Sequence, residues 1–299
     1  PNFVGACERR GVPVAVINGR ISARSFGRYE KVKRLLRPTF ARLALAAAQD
    51  EAYARLFAAL GVPEGRVRVT DTMKWDSVPL DGADEGGARA LARALGVRGD
   101  RPLIVGGSTA EGEEALISAA APEAAQVLCA PRKPERFEEA ARAMGSGCVR
   151  RSARAAASGA SEVGPGEPSP SGRYLLDTIG ELRAAYALSD VAVIGRTFAP
   201  RRGSDPIEPA ALGKPVVCGP DYRNFESVTH ALASCGALRV TDAPGLPAVL
   251  RELLDSVDLR RTMGEAGRAC VRSRRGATAR HAGLILEMVG ITPARGPVV

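Results

Sequence analysis

Two side chains in this 299-residue sequence stand where their chemistry would suit a nucleotide. Glu208 lies within Arg-Arg-Gly-Ser-Asp-Pro-Ile-Glu-Pro-Ala-Ala-Leu-Gly-Lys-Pro-Val-Val-Cys-Gly-Pro-Asp-Tyr-Arg-Asn, residues 201–224. Gly203 has no side chain to hold a ligand away, Pro206 and Pro209 suit the first turn of a helix, and Glu208 falls inside that turn. Backbone N–H groups at such a helix start attract an anion, and a carboxylate accepts hydrogen bonds from two hydroxyls. A ribose diol beside a phosphate fits both, which makes Asp205, Pro206, Ile207 and Glu208 candidate contacts. An ordinary turn and amphipathic helix is the alternative, in which Glu208 merely favours the helix dipole by about 0.3–1 kcal/mol. The second side chain is Arg132, in Pro131-Arg132-Lys133-Pro134. An arginine fixed between prolines at a strand end suits phosphate, since charge-assisted hydrogen bonds contribute about 1.5–3 kcal/mol. A helix-capping basic loop is the alternative there.

Short apolar strands have to hold these groups. Val191–Gly195 and Pro215–Gly219 flank the Glu208 stretch, and Gln126–Ala130 leads into Arg132. Further strands are predicted at Gly11–Asn18, Val67–Thr70, Pro102–Val105 and Tyr174–Leu176. Helices are expected over Tyr29–Leu36, ending before Pro38, and over Asp50–Leu60, Gly180–Leu188 and Gly276–Val289. Strand-to-loop junctions of this kind face ligands in open α/β sheets. The Gly- and Asp-rich start of 81–96 reads as a domain junction, and Gly-, Pro- and Ser-rich 153–172 as a mobile surface loop inside the second domain.

Composition narrows the partners. A net charge of +9, from 42 Lys and Arg against 33 Asp and Glu, favours anionic ligands, while the scarcity of aromatics among the basic residues speaks against nucleic acid. The six cysteines include no C-x-x-C pair and read as buried thiols of a reducing compartment, and the two histidines have no neighbour at ligand spacing, so no metal site is expected. No apolar run reaches the roughly 20 residues of a membrane span. The sequence starts at Pro1 rather than Met, and the natural start is expected to lie upstream.

A series of motifs resembles the 3-deoxy-D-manno-octulosonic acid (Kdo) transferases of lipopolysaccharide assembly, which are GT-B glycosyltransferases. Residues 18–25, Asn-Gly-Arg-Ile-Ser-Ala-Arg-Ser, are similar to that family's Asn-x-Arg-x-Ser-x-x-Ser, and Thr72-Met73-Lys74-Trp75-Asp76 to its Lys-aromatic-Asp motif. Pro1-Asn2 resembles the end of Glu-x-Trp-Pro-Asn. Residues 107–114 resemble Gly-Ser-Thr-x-x-Gly-Glu-Glu, 131–137 Pro-Arg-His-Pro-Glu-Arg-Phe, 177–182 Asp-Thr-x-Gly-Glu-Leu, and 201–209 the Arg-Gly-Gly-His-Asn-x-x-Glu-Pro motif. Nearly the whole chain is covered, in the family's order. Ala110, Lys133 and Ser204 stand where the family carries His.

The resemblance implies an α/β protein of GT-B type: two Rossmann-like domains with parallel sheets, the first incomplete with about three strands. The domains would be 1–80, the C-terminal part of an acceptor-binding domain, and 81–299, binding the nucleotide sugar, with the last helix crossing back to the first domain. It implies a CMP-Kdo-dependent, inverting, metal-independent transferase acting on lipid A precursor at the cytoplasmic face of the bacterial inner membrane. CMP-Kdo is then a donor substrate rather than a cofactor, and the partners are a phosphorylated lipid and an anionic membrane. Pro131 and Arg132 would bind the CMP phosphate, the backbone of Ile179, Gly180 and Glu181 would add contacts, and Glu208 would take the ribose hydroxyls. Lys74 would stabilise charge on the departing phosphate, with Arg20, Ser22 and Ser25 on the acceptor side. The family's general base is expected upstream of Pro1, with Glu8 or Asp76 as internal alternatives. A GT-B transferase for another activated sugar and a non-catalytic scaffold are the competing functions; retention of Lys74, Arg132 and Glu208 together favours an enzyme.

Overall fold

The apolar runs become the strands of two parallel sheets. The structure is a computed structural model and describes residues 2–80, 85–157 and 166–291; Pro1 therefore lies outside the described residues. The described residues up to Ser77 and from Arg274 onward form one compact unit, and those from Val78 to Ser273 another.

In the first unit β1 (Ala15–Gly19), β2 (Leu45–Ala48) and β3 (Val67–Val69) pair in the order β1-β2-β3. Ile21, Leu43, Phe57, Leu60 and Val62 form its buried core with the alanines of β2. Helix Glu51–Leu60 starts where Asp50 Oδ1 accepts the Tyr53 N–H (2.8 Å), satisfying a donor that a helix start leaves open. The single helix expected before Pro38 is instead two, Ala23–Lys31 and Lys33–Ala41, with Pro38 inside the second. Pro38 and Arg34 are both exposed, so water can take the Arg34 carbonyl that the missing N–H leaves without a partner.

The first unit also takes back the described residues from Arg274 onward, and the second unit runs from Val78 to Ser273. Helix Ala277–Met288 is fastened by two side chains. Asp76 accepts the N–H groups of Gly276 (2.7 Å) and Thr278 (2.6 Å) at the helix start. His281, 1% exposed, donates Nδ1–H to the Ala277 carbonyl (2.7 Å), leaving Nε2 to accept from the Asn18 N–H (2.8 Å), with the Thr70 hydroxyl 3.0 Å from the same nitrogen. Burial opposes ionisation of Asp76, but the Thr278 and Gly276 N–H groups, the Thr278 hydroxyl and the Arg275 charge outweigh it and hold the carboxyl below its ordinary range.

The second unit carries β4 (Leu103–Thr109), β5 (Gln126–Pro131), β6 (Val149–Arg150), β7 (Arg173–Leu175), β8 (Val191–Ile194), β9 (Val216–Cys218) and β10 (Leu238–Val240). The order is β10-β9-β8-β4-β5-β7-β6, all parallel. The chain winds outward from β4 through β5 and then returns to β8 on the other side of β4. That reversal opens a crevice at the carboxyl ends of β4 and β8, where open α/β sheets bind ligands. The apolar strands are buried on both faces: Ile104, Val127, Leu175, Val191 and Val217 share one face and Val105, Leu128, Ala192 and Val216 the other, all at 0% exposure.

The stretch 153–172, expected as a mobile loop, is fastened wherever it is described. Its start belongs to helix Arg151–Ala157, and 158–165 lie outside the described residues. Beyond them the Gly166 N–H donates to the Arg93 carbonyl (2.8 Å) and buried Ser169 donates its hydroxyl to the Gly147 carbonyl (2.8 Å). Small residues at 166–172 allow this close approach: a Cβ on Gly166 would lie 2.4 Å from the Ala94 carbonyl oxygen.

The Asp76 contacts predict that Asp76→Ala destabilises the protein by about 1–2 kcal/mol, measured by urea denaturation at pH 7. A carboxyl with a depressed folded-state pKa contributes stability above its unfolded value, near 3.8, and that contribution fades as pH falls through the folded value. The gap between wild type and variant should therefore close below about pH 4.

Candidate functional site

Four backbone N–H groups point at one buried carboxylate at the crevice. Glu113 Oε2 accepts from Ala110 (2.8 Å) and Arg196 (2.6 Å), and Oε1 from Thr197 (2.9 Å) and Phe198 (3.0 Å). The loop after β4 is thereby locked to the loop after β8. The ends of these strands also approach closely through glycine. A Cβ on Gly107 would lie 1.8 Å from Tyr186 Oη, and one on Gly195 2.5 Å from the Ser108 carbonyl.

Glu114 takes the other direction. It receives the Thr109 hydroxyl (2.7 Å) and both terminal nitrogens of Arg136 (2.9 and 3.1 Å), and Arg136 also reaches Glu139 (2.8 Å). These carboxylates hold the Arg136 guanidinium more firmly protonated than usual. Arg136 is therefore committed to the scaffold, whereas the Arg132 side chain has no partner among the described residues; only its N–H is engaged, with the Thr109 carbonyl (3.0 Å).

Arg132 and Pro131 line a cavity of about 220 Å³ together with Ser108, Thr178, Ile179 and Gly180. The loops after β4, β5 and β7 thus bring together groups more than 40 residues apart in the chain. Glu181 does not line it: its carboxylate pairs with Arg151 (3.0 Å) and accepts the Thr178 hydroxyl. Its backbone, with Gly180 at φ 96° and Ile179 at 84% exposure, is what remains available. A larger cavity of about 490 Å³ adjoins, also lined by Arg132, with Lys133, Arg196 and Arg201.

The Glu208 segment reaches this region through helix Leu182–Leu188. Helix Ile207–Ala211 starts as the sequence suggests, and Glu208 Oε1 lies 3.8 Å from Arg183 Nη1. Burial pushes the Glu208 carboxyl above its ordinary range, Arg183 pulls it back and Asp205 adds to the rise, with a net upward shift. Ile207 is fully buried and its N–H is taken by Asp205 Oδ1 (2.9 Å); Pro206 is also buried. Among the four, Glu208 is the one whose chemistry is best placed for a ligand hydroxyl.

In the first unit, Asn18 Oδ1 accepts the Met73 N–H (3.3 Å), which draws the two motifs 18–25 and 72–76 together. Lys74 is half-buried on the short turn Met73–Asp76 and Arg20 is exposed. Ser22 caps helix Ala23–Lys31, accepting the Ser25 N–H (3.2 Å) and donating to the Ser25 hydroxyl (3.0 Å). Asp76 is occupied by the helix it caps and Glu8 by Arg42 (2.7 Å).

A family model described as 3-Deoxy-D-manno-octulosonic-acid transferase (kdotransferase) matches residues 1–77. The 3-deoxy-D-manno-octulosonic acid transferase of Bordetella pertussis is 36% identical over 305 residues, covering 97% of this chain and 67% of that protein. The chain belongs to the Kdo transferase family. It spans about two thirds or less of the length of the curated Kdo transferases it matches. The crystal structure of the C-terminal CMP-Kdo binding domain of WaaA from Acinetobacter baumannii matches 64% of this chain and 96% of that domain, with 25% identity and a TM-score of 0.51. WaaG, a glycosyltransferase involved in lipopolysaccharide biosynthesis, matches 95% of this chain and 80% of its own, with 13% identity and a TM-score of 0.54. The fold is that of the GT-B glycosyltransferases.

Sequence reasoning passed over Glu113 and Arg136 as working parts of the Kdo transferase scaffold. The acidic first turn after Gly112 was their signal, because a helix start offers N–H groups to a carboxylate. Nothing in the sequence marked Arg183 as the neighbour of Glu208. Replacing Glu113 by Gln should turn an NH2 group toward two of the four N–H donors. A loss of about 2–5 kcal/mol is expected, read as a lowered urea midpoint relative to wild type.

Proposed function

We propose that this chain serves the transfer of Kdo from CMP-Kdo to a lipid A precursor in lipopolysaccharide core assembly, with the 78–273 unit binding the donor. The observation that carries this reading is the convergence of Pro131, Arg132, Thr178, Ile179 and Gly180 on one cavity at the carboxyl ends of the parallel strands. Arg132, with its guanidinium uncommitted, pairs with the CMP phosphate. The backbone of 179–181 holds the remainder of the nucleotide, and Glu208 accepts the ribose hydroxyls while Asp205 orders the loop before it. Pro206 and Ile207 act through the buried start of the helix that carries Glu208.

The unit up to Ser77 takes the acceptor, with Arg20, Ser22 and Ser25 on that side. Lys74 stabilises charge on the phosphate as it departs, an interaction that strengthens along the reaction. The transfer inverts the anomeric centre without a metal. The net charge of +9 suits a phosphorylated lipid at an anionic surface, which is the cytoplasmic face of the bacterial inner membrane in this reading. No helix among the described residues is long and apolar enough to cross a membrane.

Calorimetric titration with CMP, UMP and AMP tests the donor site. CMP should bind tightest, and Arg132→Ala and Glu208→Ala should each weaken it by about 1–3 kcal/mol; unchanged affinity in both variants sinks the site. Only the ionised Glu208 accepts two hydroxyls, so CMP affinity should fall as pH drops through a Glu208 value raised above 4.5, and Glu208→Gln should flatten that profile. In a transfer assay in a full-length context, Lys74→Ala should slow the reaction while leaving CMP affinity near wild type. Equal losses in binding and rate would make Lys74 a ground-state contact.

A further inference from the structure

The carboxyl ends of the second sheet gather more cations than one phosphate uses. Arg132 lines the 220 Å³ cavity and the 490 Å³ one beside it. In the larger cavity Arg136 is spent on Glu114 and Glu139. Lys133 has no side-chain partner among the described residues, and Arg201 reaches only Glu111, at 3.6 Å and with both side chains more than half exposed. An exposed pair of that length contributes little and would yield readily to a ligand.

Arg196 carries the strongest mark. It is an arginine at φ 63°, a left-handed conformation that costs a non-glycine residue about 1–2 kcal/mol. The surroundings enforce it: its N–H is held by Glu113, and its carbonyl accepts the Gly203 N–H (2.8 Å). Glycine would satisfy the same backbone without strain, so the side chain is what the position retains. That side chain lies along the cavity, donating Nη2–H to the Arg201 carbonyl (2.9 Å), which leaves further guanidinium donors for a ligand.

We propose that the larger cavity is the subsite for the sugar acid of the donor, with Lys133 and Arg196 pairing with its carboxylate. The inference rests on the nucleotide reading above. With the phosphate on Arg132 and the nucleoside toward Ile179, the sugar extends to the other side of Arg132, into a space whose volume lies in the range of small-ligand sites. A permanent carboxylate next to the phosphodiester separates Kdo from neutral activated sugars, and a fixed guanidinium with an ammonium distinguishes the two. Lys133 stands where the family carries His and offers three ammonium donors to a carboxylate.

The test is calorimetric titration of wild type, Lys133→Ala, Lys133→Arg and Arg196→Gly with CMP and with CMP-Kdo, each variant's melting temperature serving as the folding control. Arg196→Gly relaxes the backbone and should fold. Wild type should bind CMP-Kdo more tightly than CMP. Arg196→Gly and Lys133→Ala should each erase about ten-fold of that advantage while CMP affinity stays within about two-fold, and Lys133→Arg should preserve it. Equal losses for CMP and CMP-Kdo, or an intact advantage, overturn the subsite. Variants that only raise the KM of the phosphorylated lipid assign the cavity to an acceptor phosphate, which also overturns it. Failure of wild type to prefer CMP over UMP and AMP would instead strike the nucleotide reading itself.

Discussion

The capture of four backbone N–H groups by the Glu113 carboxylate is the constraint on which the donor-side geometry depends. The crevice at the β4/β8 reversal exists because the chain turns away from β4 in one direction and comes back to β8 from the other. Its two walls would otherwise be separate loops. One buried anion joins them, and its desolvation is offset by donors that would themselves be left unsatisfied. The constraint extends further, because Thr197, whose N–H is held by Glu113, uses its hydroxyl to accept the Gly219 N–H (2.7 Å) at the end of β9. The three strand ends β4, β8 and β9 are therefore ordered by one connected set of contacts.

A second buried carboxylate sorts the arginines. Arg132 and Arg136 are four residues apart and chemically identical, yet Glu114 claims Arg136 in a two-pronged pair at 0% exposure of the carboxylate. Such a pair is costly to break from one side, since the remaining charge stays buried. Arg132, on the open side of the same turn, keeps its donors for a ligand. The scaffold and the site thus use the same side chain, and only burial separates the two roles.

The first unit obeys a different logic. Its three strands offer little area, and the helix that returns from the chain end supplies what is missing through Asp76 and His281. Asp76 and Lys74 share one short turn, so fastening that helix also fixes the backbone that presents Lys74. Asn18 adds the link from β1 to the same turn. Arg274 lies 5.8 Å from the Trp75 ring and 3.3 Å from Asp71, so the entry to the returning segment is held as well.

The sequence by itself determined the parallel α/β character, because apolar runs such as Val191–Ile194, between Asp190 and Gly195, and Val216–Cys218, between Pro215 and Gly219, need no partner to be recognised. The motif order also determined the family and named Arg132, Gly180 and Glu208, since each sits in a short contiguous motif, which is local information. Three things waited for the tertiary structure. Pro38 lies within a helix because its face is solvated, which no dipeptide rule encodes. The segment after 165 is fastened by hydrogen bonds to residues 22 to 73 positions away, and low apolar content disguised it. Whether Glu113 and Glu114 face a ligand or the backbone was the third: both occupy an acidic helix start, and only the sheet reversal, with the N–H groups it gathers, turns them inward.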